Sequence, residues 1–238
     1  MCGIVGYVGQ RPASDLLLEG LSRLEYRGYD SAGIAVAEDC EIVVRKRQGR
    51  VAGLAEMVEA DPVAGSIGIG HTRWATHGDT SDVNSHPHLD GTGRVVLVHN
   101  GVIENYDQLK SRLSETGCGF RSTTDTEVVA QLIGWKLERL LESGRADDDP
   151  ETYWDALQAA LGELEGTYGL GVLFRDCPGH LWTARCGSPL VVGVGDNEFF
   201  LASDTSPLVG YTRDVVYLDD HDTARLGHDG FEVRHRDA

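Results

Sequence analysis

Residues 106–164 read YDQLKSRLSETGCGFRSTTDTEVVAQLIGWKLERLLESGRADDDPETYWDALQAALGEL. Within 106–115, 126–142 and 153–164 the apolar residues recur at i, i+3 and i+4, which predicts three helices in succession. Asp147, Asp148 and Asp149 fall between the last two, in a polar stretch that reads as a solvated loop. No strand pattern interrupts this helical middle.

On either side the pattern shortens and turns apolar or alternating. Strands are predicted at 3–9, 33–37, 41–47, 66–72 and 94–99, the last running into Asn100-Gly101. A helix over 16–24, capped by Ser14, and a short one over 51–59 separate them. After the helices come strands at 168–175, 180–186, 189–195, 198–202, 213–218, 222–226 and 231–234, broken by Gly, Asp and Pro turns. Strands at both ends with helices between exclude a regular βαβ alternation and a doubly wound parallel sheet. The class is α+β, with mostly antiparallel sheets. Residues 74–90 are polar and aperiodic, and a long loop of that kind in a compact domain tends to be functional.

The bulk properties narrow the function. The chain has 238 residues, 21 Lys plus Arg against 38 Asp plus Glu, and a formal net charge of −17. Such a surface repels phosphate backbones and anionic lipid, so no nucleic acid and no membrane is expected as a partner. The apolar runs are far too short to span a bilayer, and the N-terminus carries no signal-peptide pattern; a cytoplasmic location is expected. The five cysteines (Cys2, Cys40, Cys118, Cys177, Cys186) are odd in number with no C-x-x-C pair, as in a reducing compartment.

Cys2 stands apart. A nucleophilic thiol needs a proton acceptor, and an N-terminal residue carries one in its own α-amine, which titrates near ~7.7–8.0. Cysteine is small enough for Met1 to be clipped in front of it, which would convert a non-basic amide nitrogen into that amine. Taken alone, a cysteine at position 2 is more simply a buried strand thiol.

The blocks along the rest of the chain change that balance. MCGIVG opens it; then come Arg27-Gly28-Tyr29-Asp30-Ser31-Ala32-Gly33, His71-Thr72-Arg73-Trp74-Ala75-Thr76-His77-Gly78, His86-Pro87-His88, His99-Asn100-Gly101-Val102-Ile103-Glu104-Asn105, Thr124-Asp125-Thr126-Glu127, Ser188-Pro189-Leu190 and Ala202-Ser203-Asp204. Together they resemble the class 2 glutamine amidotransferases, and among these the glutaminase domain of the glutamine–fructose-6-phosphate transaminases, the glucosamine-6-phosphate synthases. The resemblance extends over nearly the whole chain. It implies an N-terminal nucleophile hydrolase fold, a four-layer α/β/β/α sandwich filling residues 2–238, without the sugar-isomerase domain that accepts the ammonia. It implies L-glutamine as ligand, fructose 6-phosphate only through that missing domain, a homodimer in a full-length enzyme, and no cofactor.

Roles follow by resemblance. Cys2 is the nucleophile. Asn100 and Gly101 supply oxyanion donors, although an Asn-Gly pair more often means a plain turn. Arg73 offers a planar fork for the glutamine carboxylate. Asp125 offers an anion for the ammonium, its simpler role being the cap of the helix at Thr126. Thr76 and His77 lie on the loop that closes over substrate, Trp74 gates an ammonia passage, and Arg27 orders the loop. His71, His77, His86, His88 and His99 crowd one region, but without H-E-x-x-H or a zinc-spaced cysteine pair no metal is expected, and His86-Pro87-His88 reads as a rigid loop whose imidazoles bond to backbone. Two alternatives stay open: a glutaminase domain serving another acceptor, and a non-catalytic glutamine-binding module.

Overall fold

The computed structural model describes residues 2–39, 41–74 and 81–235. Its first strand, β1 (Gly3–Val8), shows how the layers arise. Alternate residues of a strand point to opposite faces: Val5 and Tyr7 pack toward helices, while Ile4 and Val8 pack toward a second sheet. The strand is buried along its whole length because both faces are covered.

Around β1 lie β2 (Ser31–Glu38), β3 (Glu41–Gln48), β4 (Ile67–Arg73), β9 (Val191–Val194), β10 (Phe199–Ala202) and β11 (Asp214–Tyr217). They form a seven-stranded sheet in the order β11-β9-β10-β1-β4-β2-β3. The second sheet has six strands, ordered β13-β12-β8-β7-β6-β5. These are β5 (His88–Leu89), β6 (Val95–Ile103), β7 (Gly166–Phe174), β8 (His180–Cys186), β12 (Asp222–Gly227) and β13 (Gly230–His235). All these strand pairs are antiparallel. Helices α1 (Ala13–Arg23) and α2 (Val51–Ala60) cover the first sheet; α3 (Tyr106–Glu115), α4 (Asp125–Glu142) and α5 (Pro150–Leu161) cover the second.

Three apolar layers hold this α/β/β/α sandwich together. Leu17, Leu21 and Leu54 meet Val5, Tyr7 and Ile34 under the first helical layer. Val95, Leu97 and Trp182 meet Val128, Ile133 and Trp154 under the second. Between the sheets Ile4, Ile69 and Leu201 interdigitate with Val96, Val98 and Leu173. The expected α+β sandwich is the fold observed.

The differences lie at element ends. Ser14 does not cap α1: the cap position is Pro12, and the Ser14 hydroxyl, already inside the first turn, donates to the Val63 carbonyl at 3.5 Å. β6 does not stop at His99. It runs through Asn100-Gly101 to Ile103 because β7 continues to pair with it, Gly101 opposite Tyr168. Part of the expected 74–90 loop is strand β5.

Ile69 is fully buried between the sheets. Ile69→Ala is expected to cost about 2–5 kcal/mol by leaving a cavity in a layer enclosed on both sides, read as a lower urea midpoint at unchanged slope.

Candidate active site

Cys2 immediately precedes β1, whose neighbours β10 and β4 hold it on both sides. Ser203 clamps the strand's start, its hydroxyl accepting the Ile4 N–H at 3.0 Å and its own N–H reaching the Ile4 carbonyl at 3.0 Å. The half-buried Cys2 sulfur sits against the backbone at the end of β4: it accepts the Trp74 N–H at 3.4 Å and lies 3.8 Å from the Trp74 carbonyl. That backbone is itself packed against Gly28, where a Cβ would stand 2.7 Å from the Arg73 carbonyl carbon and 2.8 Å from the Trp74 nitrogen. Asp30 N–H adds a bond to the Arg73 carbonyl at 3.0 Å. The RGYD block thus braces the seat of the sulfur.

The other half of the site comes from the opposite sheet. Asn100 Nδ2 donates to the Cys2 carbonyl at 3.1 Å. Gly101 follows at φ +139°, a conformation that favours glycine, and a Cβ there would lie 2.0 Å from the Thr167 carbonyl oxygen. Asn-Gly is here a distortion within a paired strand, not a hairpin turn.

A cavity of about 490 Å³ opens beside Cys2, and its lining includes Arg73, Trp74, Gly101, Tyr106 and Asp125. Arg73, buried at the end of β4, and Asp125, the first residue of α4, place one cation and one anion on the same cavity wall. Asp125 is not the cap of α4. Thr124 is, its hydroxyl accepting the Glu127 N–H at 3.3 Å. Asp125 Oδ2 accepts the Ile103 N–H at 3.0 Å. Trp74 is 42% exposed at the rim and meets Tyr29 edge to face, with centroids 5.6 Å apart. Arg27 donates to the Ser203 carbonyl at 3.0 Å and pairs with Asp204 at 3.2 Å, bracing the end of β10; residues 75–80 of the loop it is expected to order lie outside the described residues. Thr76 and His77 lie outside the described residues.

Behind the cavity His71, His86, His88 and His99 are all buried. His86 stacks on His71 with centroids 4.0 Å apart and accepts the His99 backbone N–H on Nδ1 at 3.3 Å. Its Nε2 faces the Thr126 hydroxyl at 3.3 Å, which in turn lies 3.2 Å from His99 Nδ1. His88 Nε2 meets the Thr124 hydroxyl at 3.2 Å. Burial lowers the pKa of each, to about 3 for His71 and His88 and well below the usual value for His86. The imidazoles are neutral hydrogen-bonding struts. Among the described residues no group of three or more His, Cys, Asp or Glu is disposed to hold a metal ion.

This geometry has known counterparts. A family model for the glutamine amidotransferase domain matches residues 58–143. Glutamine–fructose-6-phosphate aminotransferase (isomerizing) of Clostridium perfringens is 49% identical over 97% of this chain and 36% of that protein. The Thermus thermophilus enzyme of the same name is 51% identical over 98% of this chain, again 36% of the relative. Glutamine phosphoribosylpyrophosphate amidotransferase from B. subtilis superimposes with a TM-score of 0.82 at 27% identity, covering 99% of this chain and 49% of the other. The chain belongs to the class 2 glutamine amidotransferases. Its sandwich is the N-terminal nucleophile hydrolase type found in the phosphoribosylpyrophosphate amidotransferase. A glutamine aminotransferase class-II domain protein from Silicibacter pomeroyi shares the fold, with a TM-score of 0.63 at 16% identity. The chain spans about a third of the length of the curated relatives it matches. Among the described residues no helix is long and apolar enough to cross a membrane.

Tyr106, His86, His99 and Thr126 also line the cavity of this amidotransferase domain, and sequence reasoning did not place them there. His86, His99 and Thr126 stood inside quoted motifs, which was the available signal. Tyr106 had none beyond its helical period.

The histidine cage fixes a pH dependence. With folded pKa values below the unfolded value of ~6.5, the four rings are neutral in both states once the pH is about a unit above that value, and there they contribute no slope. As pH falls from ~6.5 toward about 3, the unfolded chain takes up protons that the folded chain refuses, and stability is lost. Each ring contributes at most about 1.4 kcal/mol per pH unit. Urea midpoints are expected to be flat above about pH 7.5, to begin falling as the pH approaches ~6.5 and to fall clearly by about pH 5.5, with a shallower fall in His88→Gln.

Proposed function

We propose that this domain hydrolyses the side-chain amide of L-glutamine through a thioester on Cys2. The observation that carries the proposal is the meeting of Cys2 with Asn100 across two sheets, beside a cavity whose wall holds both Arg73 and Asp125.

Glutamine bears a carboxylate and an ammonium at one end and a neutral amide at the other. Arg73 suits the carboxylate and Asp125 the ammonium, which leaves the amide directed at the sulfur. The Cys2 thiol gives its proton to a base and its sulfur bonds to the amide carbon. The carbonyl oxygen becomes an oxyanion facing Asn100 Nδ2 and the Gly101 N–H. The proton passes to the departing nitrogen, the C–N bond breaks, and ammonia leaves. Water then adds to the thioester, the C–S bond breaks, glutamate departs, and the thiol is restored.

The base is the Cys2 α-amine, which exists once Met1 is removed. A base is required because burial pushes the Cys2 thiol up, against the Trp74 N–H and the positive charges of Arg73 and Arg27. Thr76 and His77 are proposed to close over the bound glutamine, and Trp74 to stand where ammonia departs. By analogy with the fructose-6-phosphate aminotransferases it matches, the domain supplies ammonia for converting fructose 6-phosphate to glucosamine 6-phosphate at a site on a separate isomerase domain.

Intact mass of the purified protein, paired with a glutamate-release assay, tests this directly. The expected result is a chain beginning at Cys2 that releases glutamate, with release abolished in Cys2→Ala. Release by a chain that retains Met1 would eliminate the α-amine as base, and glutamine binding without release would leave only a binding module. Asp125→Asn keeps an acceptor for the Ile103 N–H but loses the charge, so KM for glutamine is expected to rise about 10- to 100-fold with a smaller change in kcat.

A further inference from the structure

An asparagine used as an oxyanion donor has a weakness: its amide is nearly symmetric in shape but opposite in polarity at its two ends. Rotated by half a turn, Asn100 would present a carbonyl oxygen to the developing oxyanion and oppose the reaction. Something must choose the rotamer.

His71 Nε2 lies 3.1 Å from Asn100 Oδ1 and 3.1 Å from the His99 carbonyl oxygen. Both neighbours are acceptors in this arrangement, and the His99 carbonyl is an acceptor in any arrangement. Nε2 must therefore carry the proton and donate to both. With the amide flipped, Asn100 would turn its NH2 toward that N–H, and two donors would face each other beside the buried His71 ring, where an unmade hydrogen bond is expensive. We propose that His71 is a positioning residue for the reaction: its Nε2–H at one end of the Asn100 amide, with the Cys2 carbonyl accepting from Nδ2 at the other, fixes the amide so that Nδ2 faces the reacting carbonyl. This rests on the glutaminase function proposed above.

The surroundings hold His71 to that task. Its backbone lies in β4 between β1 and β2, opposite Ile4 and Gly33. Its ring is stacked on His86, which is pinned by the His99 N–H and by Thr126. His99 is itself the residue before Asn100, so the cage grips the backbone of the oxyanion donor from one side and its side chain from the other. His71 does not line the cavity and has no contact with substrate to make. Its effect passes entirely through Asn100.

The test is a double-mutant cycle on the mature enzyme, with glutamate release as readout. His71→Leu removes the hydrogen bond that holds the donor; kcat is expected to fall at least about 10-fold and at most by the roughly 100- to 1,000-fold that loss of one oxyanion donor costs, with KM within about threefold. His71→Gln carries an amide nitrogen to roughly the place of Nε2 and is expected to recover most of that loss. In an Asn100→Ala background, His71→Leu is expected to cost less than about threefold further, since the two residues act as one unit. Full activity in His71→Leu, equal losses with and without Asn100, or failure of Gln to outperform Leu would each overturn the proposal. Thermal unfolding of each variant identifies a loss that is merely of folding. One readout does not depend on turnover: the imidazole nitrogen-15 shifts of His71 are expected to report the proton on Nε2 at neutral pH, and a proton on Nδ1 instead would sink the positioning role even in a fully active enzyme. If the wild-type chain shows the Nε2–H tautomer but releases no glutamate, it is the glutaminase function that fails.

Discussion

The hydrogen bond from Asn100 Nδ2 to the Cys2 carbonyl joins two strands that belong to different sheets, and most of the fold is arranged around the distance it requires. Facing sheets stand about 10 Å apart, too far for backbone to touch backbone. A side chain must bridge them, and both strands must be held in register while it does. The apolar layer of Ile4, Ile69, Val96 and Val98 sets the separation. Pairing of β1 with both β4 and β10 fixes the level of Cys2, and pairing of β6 with β7 fixes that of Asn100. A shift of one residue in either sheet would turn the critical side chain to the opposite face.

Such a bridge puts polar groups in a dry place, and the histidine cage is the consequence. Four imidazoles behind the cavity are kept neutral by burial. Neutrality is what lets each ring both donate and accept, as His86 does between the His99 N–H and the Thr126 hydroxyl. Charged rings would only donate. The crowded imidazoles orient backbone and side-chain amides.

The helices and most strands were legible because burial on one or both faces writes a period into the sequence: α3 matched its expected bounds, as did β8. What misled was chemistry whose local meaning is overridden by tertiary pairing. Asn100-Gly101 is a turn signal in isolation, but β7 supplies partners beyond it, so the strand continues with Gly101 absorbing the distortion. Ser14 looked like a cap, yet Pro12 begins the helix one turn's edge earlier. Asp125 was read as a choice between ligand and cap, and Thr124 released it from that choice by capping α4 itself. The pairing of Arg27 with Asp204 leaves no local signal, because the two are distant in sequence. The role of His71 leaves no separate trace in the sequence: only the packing of β4 against β6 brings it to the concealed end of the Asn100 amide.

The environment of the sulfur carries the last step. Tucking Cys2 against the Trp74 backbone removes water from the thiol, and burial raises its pKa, which protects it from casual oxidation but leaves it a poor nucleophile at neutral pH. The nearby cations Arg73 and Arg27 oppose that rise only in part. Arg27 is tied to Asp204, and Arg73 sits on the cavity wall where a carboxylate would reduce its field further once substrate arrives. Activation by standing positive charge would therefore weaken on binding. A base that moves with the nucleophile does not have this defect. The α-amine proposed as base, which removal of Met1 would free, lies on the same residue, would gain and lose a proton near neutrality, and would need no second side chain aligned with the sulfur. The four caged histidines are poor substitutes for it, since burial opposes their taking up a proton. A site that uses its imidazoles for structure has to find its proton acceptor elsewhere, and the proposed α-amine of Cys2 would meet that need without drawing on the cage.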